Sequence, residues 1–381
     1  MVSIPILVAN AGAAAWASLA LGQAIGTATS IFVSFGWGTT GPTQIAISSP
    51  AERVTIYSNS LRVRSILAAP GVVIAGTVTY FSAVDSRTEA VVTAVAFTLF
   101  GLLGGWFFTG ASRPMGFLLF DTIPRVSGTL GGMIALTLGA PLIAFPILQL
   151  AGIGTGAVAA AIAINRSDDA TGVSGGSSLL YLLKSQSHGL AISGVSAAYI
   201  SVPITIIAVV APAALPMYAL ADKILRYSTT VFSPIVQFLQ GWVPGSEDVA
   251  LFRRIRFALF GGSTLVTTAM AMFILLLPWV ANVLSHGTIA VSLQLSIPFG
   301  LMLGLFVMGQ IVGLACLLAL GRAREIATFT IVGAATALPA VFFGSAVAGA
   351  EGVAWALVIS ETVAVGLQLI LLLRLVYRPR R

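Results

Sequence analysis

The stretch 218–242 reads YALADKILRYSTTVFSPIVQFLQGW. It is longer than the roughly 20 residues a helix needs to cross a bilayer, yet it is the most polar of the long apolar segments in the chain. Asp222, Arg226, Thr229, Ser233, Gln237 and Gln240 recur at steps of three and four, which places them on one helical face. Leu220, Ile224, Leu225, Val231, Phe232, Ile235 and Leu239 form the other. A charge at mid-bilayer costs about 2.5–3.5 kcal/mol on insertion scales, so such residues face a protein interior or a water-filled cavity. Two readings follow. The helix is one wall of a hydrated cavity, or Asp222 and Arg226 form a buried i,i+4 pair that locks helices together.

The rest of the composition places that helix in a membrane. Of 381 residues, 57% are hydrophobic and only 8% charged, against about 25% charged in a soluble domain; mean hydropathy is +1.01. No period-2 pattern runs through the chain, so the fold class is an all-α polytopic membrane protein and not a barrel. The net charge of +7 does not imply nucleic acid, because the basic residues are scattered among loops. The single Cys316 can form no intrachain disulfide, and His188 and His286 lack ligand spacing, so no metal site is expected. No GxxxxGK loop exists for ATP, and no cofactor is expected.

Eleven apolar segments follow a short apolar start (Met1 to Gly12): 14–38, 61–82, 89–110, 126–146, 147–166, 189–211, 216–242, 255–282, 290–319, 323–346 and 350–376. The fourth and fifth meet at Pro146 with almost no loop, which predicts a tight hairpin. The connection around DDATGVSGGSS has a linker composition. It divides the chain into an N-terminal bundle (1–166), a cytoplasmic linker (167–188) and a C-terminal bundle (189–381). The end of that linker, SSLLYLLKSQSH (177–188), fits a short amphipathic surface helix. With both termini cytoplasmic and one earlier helix added, 16 of the 19 basic residues fall inside, Arg62, Arg64, Arg113 and Arg125 among them. Arg87 falls outside, which leaves Lys223 and Arg226 as the basic residues within the bundle.

The halves echo one another. Ala20–Ile25 (ALGQAI) aligns with Ala219–Ile224 (ALADKI), and the stripe Gln23, Thr27, Ser30, Ser34 has the spacing of Asp222, Arg226, Thr229, Ser233. Such repeats are a common transporter architecture, with the substrate between the halves.

Four stretches carry a family resemblance: WASLALGQAIGTATSIFVSFGWGTTGPTQIA (16–46), FDTIPRVSGTLGG (120–132), YALADKILRYSTTVFSPIVQFLQGWVP (218–244) and GAEGVAWALVISETVAV (349–365). The chain resembles the bacterial polysaccharide and O-antigen flippases of the multidrug/oligosaccharidyl-lipid/polysaccharide (MATE-like) exporter superfamily. The resemblance implies two six-helix bundles working by alternating access. The chain matches helices two to twelve of that pattern, so the first helix is expected to be missing or truncated.

The implied partners are a polyprenyl-diphosphate-linked glycan, membrane lipid and a coupling proton or sodium ion, in the bacterial inner (plasma) membrane. Arginine can grip a diphosphate through bidentate hydrogen bonds. Lys223 and Arg226 are therefore candidate substrate-binding residues, with Asp222, Gln23, Ser30 and Gln237; Trp37 could stack on a sugar. Asp222 and Glu361 are candidate ion-coupling carboxylates. Each has a structural alternative: Lys223 snorkelling to the interface, Glu361 hydrogen-bonded to neighbouring helices, Gln23 and Ser30 packing helices together. A drug/cation antiporter and a transport-inactive relative are the competing functions. A polysaccharide polymerase or ligase would need a large external loop, and the outside loops are short.

Overall fold

Lipid offers backbone amides no partner, so the chain satisfies them within helices. A computed structural model describes residues 3–166, 178, 181–184, 186, 201–243 and 248–377, the side chains of 248–250, 338 and 377 excepted. In chain order the helices are α1 (Ser3–Ser34), α2 (Trp37–Ile47), α3 (Pro50–Ser82), α4 (Arg87–Thr98), α5 (Gly105–Gly110), α6 (Pro114–Phe117), α7 (Ile123–Thr137) and α8 (Ala144–Asn165). Then come α9 (Ser201–Val210), α10 (Leu215–Trp242), α11 (Asp248–Leu284), α12 (Leu293–Gln310) and α13 (Ala323–Tyr377). No strand occurs among the described residues.

Seven stretches among the described residues combine the length and apolarity of a span. They correspond to apolar segments read from the sequence, and the last corresponds to two. At 1.5 Å per residue, α13 would be about 80 Å long, more than twice the hydrocarbon core. It breaks at Ala348 and Gly349, where Gly349 adopts φ 53. The two halves fold back on each other, the backbones of Gly344 and Gly352 meeting where a Cβ on either would collide with the other's carbonyl. Of the remaining segments, α10 is long enough but carries three charges within two turns, α7 is only 15 residues long, and residues 189–200 lie outside the described chain.

The protein is therefore a multi-pass helical membrane protein. It comprises two compact units, Met1–Val209 and Val210–Arg381. Most of the expected linker lies outside the described residues. Its described part includes a helical turn at 181–184. Leu182 there packs with Trp37 and Val63, and Gln186 accepts from Thr40 Oγ1 at 2.6 Å.

In the first unit, α1 bends at Gly12 and then lies against α4. Gly22 and Gly26 face the carbonyls of Ala90 and Ala94, four residues apart on both helices. Small residues at this spacing let two backbones approach closely enough for dispersion to hold them in lipid. Helix α3 starts at a capping box, the Glu52 carboxylate accepting from the Ser49 N–H at 2.8 Å and its hydroxyl at 2.7 Å. The α7–α8 hairpin exists, but Pro146 is not its junction. The turn spans 138–143, with Gly139 at φ 86, and Pro146 sits in the first turn of α8, where its missing N–H has no helical partner to lose. In the second unit α12 packs on α11 and on α13, and passes directly into a π-helical turn, Ile311–Leu317.

Candidate functional site

The polar face of α10 is built as the spacing predicts. Arg226 reaches back one turn to Asp222, its Nε 2.7 Å from Oδ2 and its Nη2 3.0 Å from Oδ1. The fork is bidentate and fixes the guanidinium plane. The Asp222 side chain is 14% exposed and that of Arg226 42% exposed, so the pair is anchored at the carboxylate and open at the cation. Lys223 and Ser233 are half-buried and Gln237 is exposed. The Thr229 hydroxyl donates to the Arg226 carbonyl at 2.7 Å. The helix is held by another face: Tyr218, Ala221, Leu225 and Leu239 are buried, and Tyr218 meets Phe299 of α12 edge-on at 5.4 Å. On the side away from the stripe, Val231 and Phe238 are exposed, as lipid-facing residues should be.

The echo of this stripe on α1 has another character. Thr27 donates to the Gln23 carbonyl at 2.7 Å, Ser30 to the Thr27 carbonyl at 2.6 Å and Ser34 to the Ile31 carbonyl at 2.9 Å. Ser30 is buried against Gly101, and Trp37 is buried beside Val63. Gln23 is half-buried. The hydroxyls of this stripe are thus engaged by their own helix. Glu361 is half-buried on the second half of α13. It follows Ser360, whose hydroxyl donates to the Gly333 carbonyl at 2.6 Å and ties the two halves together. The structure thus pairs Asp222 with Arg226, leaves Glu361 on another helix, and assigns Gln23 and Ser30 to the other unit.

One buried cation escaped the sequence reading, which took Lys223 and Arg226 as the basic residues inside the bundle. Arg64 of α3, read as a cytoplasmic-end residue, is fully buried in the first unit. The α4–α5 segment breaks there, at Leu103–Gly104. Arg64 Nη1 donates to the carbonyls of Gly101 and Leu103, each at 3.0 Å, and Nη2 to Ser60 Oγ at 3.2 Å. Its guanidinium carbon lies 5.6 Å from the Tyr57 ring centre and 5.4 Å from that of Trp106. Among the described residues no carboxylate pairs with it.

On the other side of the same break, buried Asp121 lies over Gly105, the first residue of α5, and accepts its backbone N–H. Asp121 also pairs with Arg125 at 2.6 Å. A cation thus caps the carbonyl end of one half-helix and an anion the amide end of the next, each matched to the local dipole. The available signal was the glycine run in LFGLLGGWF (99–107), which marks a break within an apolar segment.

Groups of three or more potential metal-ligating side chains do not occur among the described residues. No protein-family model matches the sequence. No curated protein matches it. Solved structures do. A multidrug resistance MATE family transporter of the MOP superfamily, in its inward-facing conformation, is 12% identical with a TM-score of 0.71, over 98% of this chain and 93% of that one. A MATE protein in a bent conformation is 14% identical with a TM-score of 0.52, over 97% and 87%. An outward-facing MATE family transporter is 14% identical with a TM-score of 0.50, over 98% and 85%. The likeness runs through nearly the whole chain at very low identity, and what it establishes is that the protein has the fold of the MATE transporters.

Proposed function

We propose that the protein is an alternating-access transporter that flips polyprenyl-diphosphate-linked oligosaccharide across the bacterial inner membrane, with both termini cytoplasmic. The observation that carries this reading is the Asp222–Arg226 fork. A guanidinium held in plane by a carboxylate, yet 42% exposed along a polar helix face, is a preset anion contact. A diphosphate carries the matching charge and oxygen geometry. Lys223 adds a second cation next to the fork, and Gln237 extends the polar face toward a glycan. Gln23 and Ser30 then act through α1 packing. Asp222 serves chiefly to orient Arg226, and Glu361 remains the carboxylate suited to a coupling proton or sodium ion. The fold supports transport in general.

The solved neighbours described as multidrug resistance transporters favour a second reading, drug/cation antiport. A cationic drug would meet Arg226 and Lys223 as like charges, which weighs against it.

The test is complementation of a bacterium that lacks its polysaccharide flippase, comparing the wild-type chain with Arg226→Ala and Arg226→Lys, alongside dye-efflux assays on the same cells. Restored surface glycan that Arg226→Ala abolishes, with normal membrane insertion, is the expected result. Undiminished glycan export in Arg226→Ala would remove the fork from the mechanism. Dye efflux without glycan export would give the antiporter reading.

A further inference from the structure

We propose that the aromatic end of α10 and the arginine-bearing start of α11 form a seat for the headgroup of an anionic glycerophospholipid. The proposal rests on the membrane fold and is independent of the transport reading.

At the end of α10, the Phe238 and Trp242 rings stack, centroids 6.2 Å apart and planes within 13°. Phe257 of α11 meets Trp242 edge-on at 5.7 Å. Arg254 locks this corner. Its guanidinium carbon sits 5.0 Å from the Trp242 ring centre, and its Nη1 donates to the Trp242 carbonyl. The indole is therefore a fixed wall and not a loose anchor.

The outer surface of the corner is amphipathic along one face of α11. Arg253 and Arg256 are exposed, and Phe257 and Phe260 follow them at the next helical steps, 67% and 80% exposed. Cations thus stand at the helix end and aromatic rings lie one to two turns deeper. That is the order in which a lipid presents its phosphate and then its acyl chains. In sequence, residues 247–256 carry three arginines and two carboxylates, so their net charge is positive. A basic cluster at a helix end in the interfacial zone attracts anionic lipid, and the aromatic wall gives a bound lipid a defined contact that a diffuse charge would not.

The experiment uses the full chain in detergent mixed with brominated phosphatidylglycerol or brominated phosphatidylcholine, and reads tryptophan quenching. The component lost in Trp242→Phe reports on the seat. Exposed Trp279, farther along α11, reports on general lipid contact and controls for folding. The expected result is that phosphatidylglycerol quenches the Trp242 component at a much lower mole fraction than phosphatidylcholine. The double variant Arg253→Gln/Arg256→Gln should erase that preference while leaving Trp279 quenching unchanged. Two such charges correspond to about a thirtyfold preference. Equal curves for the two lipids, or a preference that survives in the double variant, would overturn the proposal.

Discussion

Arg64 and Arg226 are the same residue in opposite circumstances. Arg64 is sealed in the first unit, and its charge is met by the carbonyls of Gly101 and Leu103, the carbonyl and hydroxyl of Ser60 and two aromatic faces. Arg226, in the second unit, is paired with a carboxylate and keeps 42% of its side chain exposed. The first arginine completes a backbone that would otherwise be broken in lipid. The second is oriented by one carboxylate but not enclosed. What separates a structural arginine from a candidate substrate contact here is its partner and its access, since both are cations on helices of one membrane protein.

The sharpest way to break the comparison is Arg64→Ala. It strips two buried carbonyls of their donor, at about 1–3 kcal/mol each. The midpoint of unfolding in mixed micelles should fall by an amount corresponding to roughly 2–6 kcal/mol, and an unmoved midpoint would mean the break at Leu103–Gly104 does not depend on Arg64. Arg64→Lys keeps the charge but cannot reach both carbonyls and Ser60 in a fixed fork. It should recover part of the loss, leaving a deficit of about 1–3 kcal/mol for the carbonyl without a donor; full rescue would show that charge alone suffices.

Asp121→Asn removes the negative charge at the start of α5, and with it the ion pair to the half-exposed Arg125, while keeping its shape. It should cost on the order of 1 kcal/mol, and the same unfolding assay reads it. A double-mutant cycle at Asp222 and Arg226 should return only about 0.3–0.5 kcal/mol of coupling, as for partly exposed i,i+4 pairs, while Arg226→Ala still abolishes export. A coupling of several kcal/mol would return the fork to a structural lock and erase the contrast with Arg64. The smallest effect is expected for Ser30→Ala, whose hydroxyl already bonds the Thr27 carbonyl. A change within about 0.5 kcal/mol and intact export would confirm that the α1 stripe packs and does not bind.

The Asp222–Arg226 pair, one of two readings the sequence offered, was legible at all because its geometry is local: residues 222 and 226 share a face of any helix that contains them. The break between 323–346 and 350–376 was legible for a similar reason, since no single span can be 55 residues long. The α7–α8 turn was misplaced because proline signals either a loop or a helix start, and only the positive φ of Gly139 locates the bend. The echo between ALGQAI and ALADKI was real as a spacing, but equal spacing did not give equal environments. The α1 hydroxyls bond their own backbone, while Asp222 and Arg226 bond each other through side chains.

By itself the sequence determined that this is a helical membrane protein, where most of its helices lie, and that Asp222 and Arg226 share one helical face. These are properties of composition and of the 3.6-residue turn. Tertiary structure alone decided that Arg64 is interior. Its partners, the carbonyls of Gly101 and Leu103, lie nearly forty residues along the chain. Backbone carbonyls leave no mark in a sequence until a second helix is laid beside them.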